Sequence, residues 1–267
     1  MESIEAYHAD YSHFGSTAIR LFQADPLAFY RTYIRCEPRT SDSRALAVGQ
    51  AFHAEMSGTY DAEFAVKPQG LDRRTTVGKA QWAEFEQFCG DRTIIDFDEF
   101  VLVMSMAEAV KTHPHAAWLA NLDDGRNEVS YRWQDDGGLP LKVRFDRILD
   151  DGTIIEYKTI DAFGASALST FARACQARRY DMQAAMYCRG RDQMTLGTGG
   201  DFYFVVVTKT IPSQCMLVRP RESFLARGMA SLNQAIKSLG TAIAKETLDP
   251  GPHNWVLPHF TEVMELA

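Results

Sequence analysis

Paired cysteines are missing from this sequence. Its five cysteines, Cys36, Cys89, Cys175, Cys188 and Cys215, are odd in number and none is spaced C-x-x-C, which argues against a disulfide framework or a zinc site. They read as reduced thiols. Long apolar runs are missing too: no stretch reaches the roughly 20 residues that span a bilayer. The opening Met1-Glu2-Ser3-Ile4-Glu5 is acidic and lacks the apolar core of a secretory leader, so the expectation is a cytoplasmic protein with no membrane partner. Phosphate-binding loops are absent, since Gly78-Lys79 runs into Ala80 and Gly197-Thr198-Gly199-Gly200 has no following lysine. Any ATP-driven motor would be another protein. Positive charge is in the minority, with 28 Lys and Arg against 35 Asp and Glu and a net charge of −7. Such a balance holds a polyanion only where cations are concentrated locally.

What is present suits an enzyme. The 267 residues are 46% hydrophobic with no compositional break, enough for one large core and one domain over 1–267. Within it the sequence divides into a helical part over about 1–120, a core over about 125–220, and a C-terminal helix and tail over about 221–267. Apolar spacing predicts helices over Ser16 to Ile34, with Ser16 as cap or phosphate contact, and over Leu46 to Met56, Gly78 to Phe88 and Phe97 to Lys111. Strands are predicted at Asn127 to Trp133, Phe202 to Thr208 and Cys215 to Val218. Further helices are predicted near Ala165 to Ala177, Tyr180 to Arg189 and Glu222 to Lys245, the last ended by Pro250-Gly251-Pro252 before a tail with Trp255. The class is α+β: a mixed central sheet flanked by helices.

Chemistry concentrates between Val143 and Lys158. Two β-like runs are joined by Asp150-Asp151-Gly152, which predicts a hairpin with a three-residue loop and Gly152 in the left-handed position. Pairing about Asp151 sets Asp146 opposite Glu156, and strand alternation puts Glu156 and Lys158 on one face with Tyr157 pointing away. Two carboxylates and an amine so placed suit a Mg²⁺ ion and a phosphate substrate. The same residue types also make up ordinary solvated hairpin faces. Ile148, Ile154 and Ile155 argue for burial, where unpaired charges would be costly unless a metal or substrate required them.

Phe145-Asp146, nine residues, then Glu156-Tyr157-Lys158 resembles the core of the PD-(D/E)xK (restriction-endonuclease-like) nucleases, with Phe145 standing where proline is usual. Gly49-Gln50-Ala51-Phe52-His53 resembles the G-x-x-x-H element of the RecB-type branch, and Gln183-Ala184-Ala185-Met186-Tyr187 its Q-x-x-x-Y element. Ser16 to Leu21, Asp25 to Tyr30 and Arg73 to Lys79 resemble segments of the phage-derived RecE (exonuclease VIII) nuclease domain, extending the likeness to nearly the whole chain.

That resemblance implies residue roles. Asp146 and Glu156 would bind Mg²⁺, with Mn²⁺ as substitute, together with the Tyr157 carbonyl. His53, by itself more often a core histidine, would be a ligand or orienting group. Glu128, equally an exposed strand residue, would complete a second metal shell. Lys158 would position or deprotonate water or stabilise the scissile phosphate. Gln183 and Tyr187, four apart on one helical face, would face the active site, although Tyr187 alone reads as core. DNA contacts would come from Ser16, Arg20, Arg144, Arg173, Arg178 and Arg179; the last three fall with Arg189 and Arg191 in a cluster around Gln183 that also reads as a solvated helix face. No iron–sulfur cluster is expected, because no cysteine follows Cys215.

The implied activity is 5′ digestion of linear double-stranded DNA, leaving 3′ strands for a single-strand-annealing recombination protein. The implied assembly is a homo-oligomer, trimer or tetramer. A structure- or sequence-specific endonuclease and an inert DNA-binding module remain open as alternatives.

Overall fold

Runs rich in β-branched and aromatic residues supply the centre of the protein, and they fall where the sequence predicts. The computed structural model describes residues 2–37, 44–120, 123, 125–162, 164–194, 199–245 and 248. In chain order the main elements are α1 (Ile4–Ala9), α2 (Ser16–Ala24), α3 (Pro26–Phe29) with a π-helical turn (Tyr30–Ile34), α4 (Arg44–Ser57), α5 (Tyr60–Glu63), β1 (Phe64–Val66), α6 (Thr76–Cys89), β2 (Thr93–Ile95) and α7 (Phe97–Lys111). There follow β3 (Arg126–Gln134), β4 (Pro140–Ile148), β5 (Ile154–Ile160), α8 (Ala167–Ala177), α9 (Tyr180–Gln193), β6 (Phe202–Thr208), β7 (Cys215–Val218) and α10 (Glu222–Ala244).

The main sheet has the order β3-β4-β5-β6-β7. β3, β4 and β5 form an antiparallel meander, β5 pairs parallel with β6 through a crossover containing α8 and α9, and β7 closes the edge antiparallel. The turn between β4 and β5 has the predicted three-residue loop, with Gly152 at φ 85° and Leu149 donating its N–H to the Thr153 carbonyl at 2.9 Å. β1 and β2 form a separate parallel pair. Three residues each is too short for periodicity to reveal, and the sequence reading passes over both.

Two apolar layers cover the sheet. On one face Leu141, Phe145, Ile154 and Phe204 pack with Ile19 of α2, Met182 and Met186 of α9, and Leu232 and Leu239 of α10. On the other, Ile155, Tyr157, Val205 and Val207 pack with Phe52 of α4 and Val103, Met106 and Val110 of α7. A capping box between Asp96 and Glu99 starts α7.

The single helix expected over Ser16 to Ile34 is instead broken at Asp25. The Asp25 carboxylate accepts from the Ala28 N–H at 2.9 Å, and Pro26 occupies the first turn of a new helix. Ser16 is not the cap of α2: Gly15 holds that position and Ser16 is buried in the first turn. The Pro250-Gly251-Pro252 stop and the tail with Trp255 lie outside the described residues. Among the described residues no helix is long and apolar enough to cross a membrane.

α10 approaches α9 through Gly228, where a Cβ would stand 2.0 Å from the Asp181 carbonyl oxygen. Backbone cannot yield as a flexible side chain does. Gly228→Ala is therefore expected to cost about 3 kcal/mol, read as a fall of roughly 6–12 °C in thermal midpoint by calorimetry.

Candidate active site

The ladder between β3 and β4 pairs Asn127 with Arg147 and Val129 with Phe145, but the rung between Glu128 and Asp146 is missing. Glu128 sits there at φ 52°, a left-handed backbone that a glutamate rarely adopts. On the other side, β4 and β5 pair only at Arg147 with Ile155 and Ile148 with Ile154. The register about Asp151 is thus as predicted, but the strands part before Asp146 and Glu156 can form a rung. In the gap the Asp146 carboxylate accepts from the Tyr157 N–H at 2.8 Å. Because a strand residue's N–H and C=O point to the same edge, the Tyr157 carbonyl is aimed at this gap as well.

Side chains from both layers converge on the opening. From α4, His53 Nδ1 lies 3.3 Å from Asp146. One ligand atom from each of His53, Glu128 and Asp146 falls within 4.8 Å of the others, a spacing a metal ion could bridge. From β5, the buried Glu156 takes hydrogen bonds on Oε1 from Lys158 Nζ at 2.6 Å and from Gln183 Nε2 at 2.7 Å. Its Oε2 is buried with no partner. Glu156 is not one of that three-residue group, but Asp146 and His53 both feel its charge. Its unsatisfied buried acceptor fits a hard divalent cation that His53, Glu128 and Asp146 would hold with Glu156 completing the shell. Gln183 also donates to the Tyr187 phenol at 3.2 Å, and the Tyr187 ring packs edge-on against Phe145. Phe145 therefore supports the α9 side of the site from the position the sequence marks as a departure from proline.

Electrostatics follow from this crowding. Burial opposes a charge on His53, yet Asp146, with Glu128 and Glu156 behind it, pushes the imidazole up to about 9. Burial and the Asp146 charge push Glu156 up to about 7, against the pull of Lys158. Burial disfavours the Lys158 ammonium, but Glu156, Tyr180 and Asp146 outweigh it and hold the lysine above its ordinary value. These neighbours favour the charged form of Lys158. Burial and the two carboxylates raise Tyr187, which stays a neutral phenol.

The arginines divide. Arg144 is not free for phosphate: its Nε donates to Glu128 at 2.7 Å and its Nη1 to Ser130 at 3.0 Å and to the Glu2 carbonyl at 3.1 Å. It holds Glu128 in the left-handed bend, a role the sequence reading missed because the bend itself has no sequence signature. Arg179 turns to Asp181 at 3.1 Å. Arg189 reaches Asn233, and Arg191 bonds Asp192 and the Gly200 carbonyl. Arg179, Arg189 and Arg191 do not form the open phosphate track expected of the cluster. Arg173 and Arg178 keep exposed guanidiniums, their contacts being Thr170 and the Tyr180 hydroxyl. Arg20 bonds the Arg178 carbonyl, has a buried Nε without a partner, and feels both Tyr180 and Tyr187.

Arg144→Met removes the fork that neutralises Glu128 while keeping the side-chain stem. It is expected to destabilise the protein by about 2 kcal/mol in EDTA, and divalent cation should restore part of the loss by replacing the missing positive charge. Denaturant unfolding with and without the ion measures both effects.

Comparison with known proteins bears on the fold and the family. A solved structure from Eubacterium rectale described as a "putative exonuclease" shares the fold with a TM-score of 0.64 and 13% identity, over 92% of this chain and 87% of that one. None of the curated proteins compared matches the chain. A family profile described as "PDDEXK-like domain of unknown function" matches residues 28–252, which contain the whole cluster from His53 to Tyr187. The chain belongs to this PDDEXK-like family.

Proposed function

We propose that the protein is a metal-dependent deoxyribonuclease, and that it digests linear double-stranded DNA from 5′ ends to leave 3′ strands. The observation that carries the hydrolytic reading is the cluster of His53, Glu128 and Asp146 at metal-bridging distance, electrostatically coupled to a Glu156 whose Oε2 has no partner and whose Oε1 holds Lys158. A bound cation would polarise the phosphodiester and lower the pKa of an attacking water. The carboxylate-rich donor set suits Mg²⁺, with Mn²⁺ as substitute.

The protein's own groups divide the remaining work. Lys158 places positive charge where the phosphorane develops negative charge. Tyr187, a neutral phenol accepting from Gln183, has its own proton to give to a phosphate oxygen. Arg20, which feels Tyr187 and has its Nε unsatisfied, is a further cation for an adjacent phosphate, and Arg173 and Arg178 extend the positive surface along α8. The exonuclease reading carries with it a ring of three or four copies, which would gather such patches around the duplex despite the acidic total.

Linear duplexes labelled at the 5′ or the 3′ end, incubated beside a covalently closed circle with Mg²⁺ or EDTA, test the proposal. Early release of 5′ label in Mg²⁺, with the circle intact and nothing cut in EDTA, is the expected result. Cutting of the circle would replace it with an endonuclease, and inertness of both DNAs in Mg²⁺ and Mn²⁺ would overturn it.

A further inference from the structure

The face of the sheet that carries Glu156 and Lys158 continues outward to an unassigned cavity. Glu156 pairs with Phe204 across the parallel β5 and β6 ladder, so their side chains lie on the same face. Phe204 is part of the wall of a cavity of about 380 Å³, above the roughly 300 Å³ at which ligand clefts begin. Phe171 and Phe224 continue that wall, their rings 5.5 Å and 6.4 Å from Phe204. Three guanidiniums line the same space: Arg219, Arg221 and Arg227.

Cavity and hydrolytic site are separated by one aromatic layer. Lys158 Nζ lies 4.7 Å from the centre of the Tyr180 ring, and that ring lies 5.9 Å from Phe204 and 6.1 Å from Phe171. Cys175, also in the cavity lining, is close enough to Lys158 and Arg227 for both to oppose the rise that burial gives its thiol.

The three arginines are not equivalent. Arg227 bonds Asp181 at 3.1 Å and lies over the Phe224 ring, while Arg219 bonds Asp201 at 2.5 Å. Arg221 is exposed and has no acidic partner among the described residues. An aromatic wall with a rim of guanidiniums, one of them uncommitted, matches a nucleotide: the base has a π-face for the rings and the phosphate has oxygens for the arginines. A cavity for a small apolar molecule would have no use for the cationic rim.

We propose that this cavity takes an unpaired nucleotide of the DNA strand being cut, its base on the half-buried Phe224 ring beside the buried Phe171 and Phe204, and its phosphate on Arg221. This rests on the nuclease reading and deepens it, because a base seated there has left the duplex. The strand would run between the hydrolytic site and the cavity, so the protein would act on DNA opened by at least one pair.

Equilibrium binding in EDTA tests the proposal without cleavage, using short single strands that carry 2-aminopurine at successive positions and matched strands with an abasic residue instead. With the unaltered protein, one position should show quenched 2-aminopurine emission, and its abasic counterpart should bind at least tenfold more weakly. Arg221→Glu should weaken binding at least tenfold; because Arg221 is exposed and unpaired, the change should not disturb folding, which thermal melting checks. Phe224→Leu should bind the base-containing and abasic strands alike. Unchanged emission at every position, or equal binding by Arg221→Glu and the unaltered protein, would overturn the proposal and leave the hydrolytic site standing. Quenching with the expected losses in a protein that cuts no DNA would keep the cavity as a nucleotide site and remove the nuclease reading.

Discussion

Lys158→Ala is expected to slow phosphodiester hydrolysis about a thousandfold, the scale of removing one preorganised charge from a transition state. The lysine is anchored by Glu156 at 2.6 Å and held protonated by Glu156, Tyr180 and Asp146. Its removal leaves the bond between Gln183 and Glu156 in place and takes away none of His53, Glu128 or Asp146. Divalent-ion affinity, read by titration calorimetry, should therefore stay within a few-fold while single-turnover cleavage collapses. A parallel loss of both would show that the lysine orders the site and does not act on the phosphate.

Asp146→Asn should produce the opposite split. This side chain touches His53 and the Tyr157 N–H and belongs to the three-residue ligand cluster. The amide keeps an oxygen for Tyr157 but loses the charge, so metal affinity should fall at least a hundredfold and cleavage with it, on the order of ten-thousandfold at fixed Mg²⁺. A second readout needs no activity. His53 owes its pKa of about 9 first to Asp146 overcoming burial, so in Asp146→Asn its titration, followed by NMR without metal, should drop toward or below the ordinary histidine range. A histidine that titrates unchanged would show that Glu128 and Glu156 suffice to hold its proton.

The central residues of this site were legible because each lies on a regular element at a spacing chemistry can interpret. Asp146, Glu156 and Lys158 follow from strand alternation and a glycine turn, and His53, Gln183 and Tyr187 lie on helices whose motifs mark them. What stayed hidden depends on departures from regularity. Nothing in Arg126-Asn127-Glu128-Val129 announces a left-handed glutamate, so neither the lost rung nor the hold of Arg144 on Glu128 could be read in advance. Arg179 reads as a phosphate contact or a solvated helix residue, and its bond to the buried Asp181 could not be foreseen because a sequence does not show which acids a helix turns inward. Asp25-Pro26 was a readable stop signal, overridden by the apolar spacing on either side of it. The cavity beside Tyr180 joins α8, β6, β7 and α10, and no local window contains it.

The placement of the site at a split between strands has a consequence for how activity is acquired. His53 arrives with the layer of α4 and α7, Gln183 and Tyr187 with the layer of α9 and α10, and Asp146 and Glu156 with the sheet between them. No fragment or intermediate holding one layer alone can bring these groups together. On the proposed reading, cutting DNA would need the completed three-layer arrangement, because a chain lacking one layer lacks part of the site.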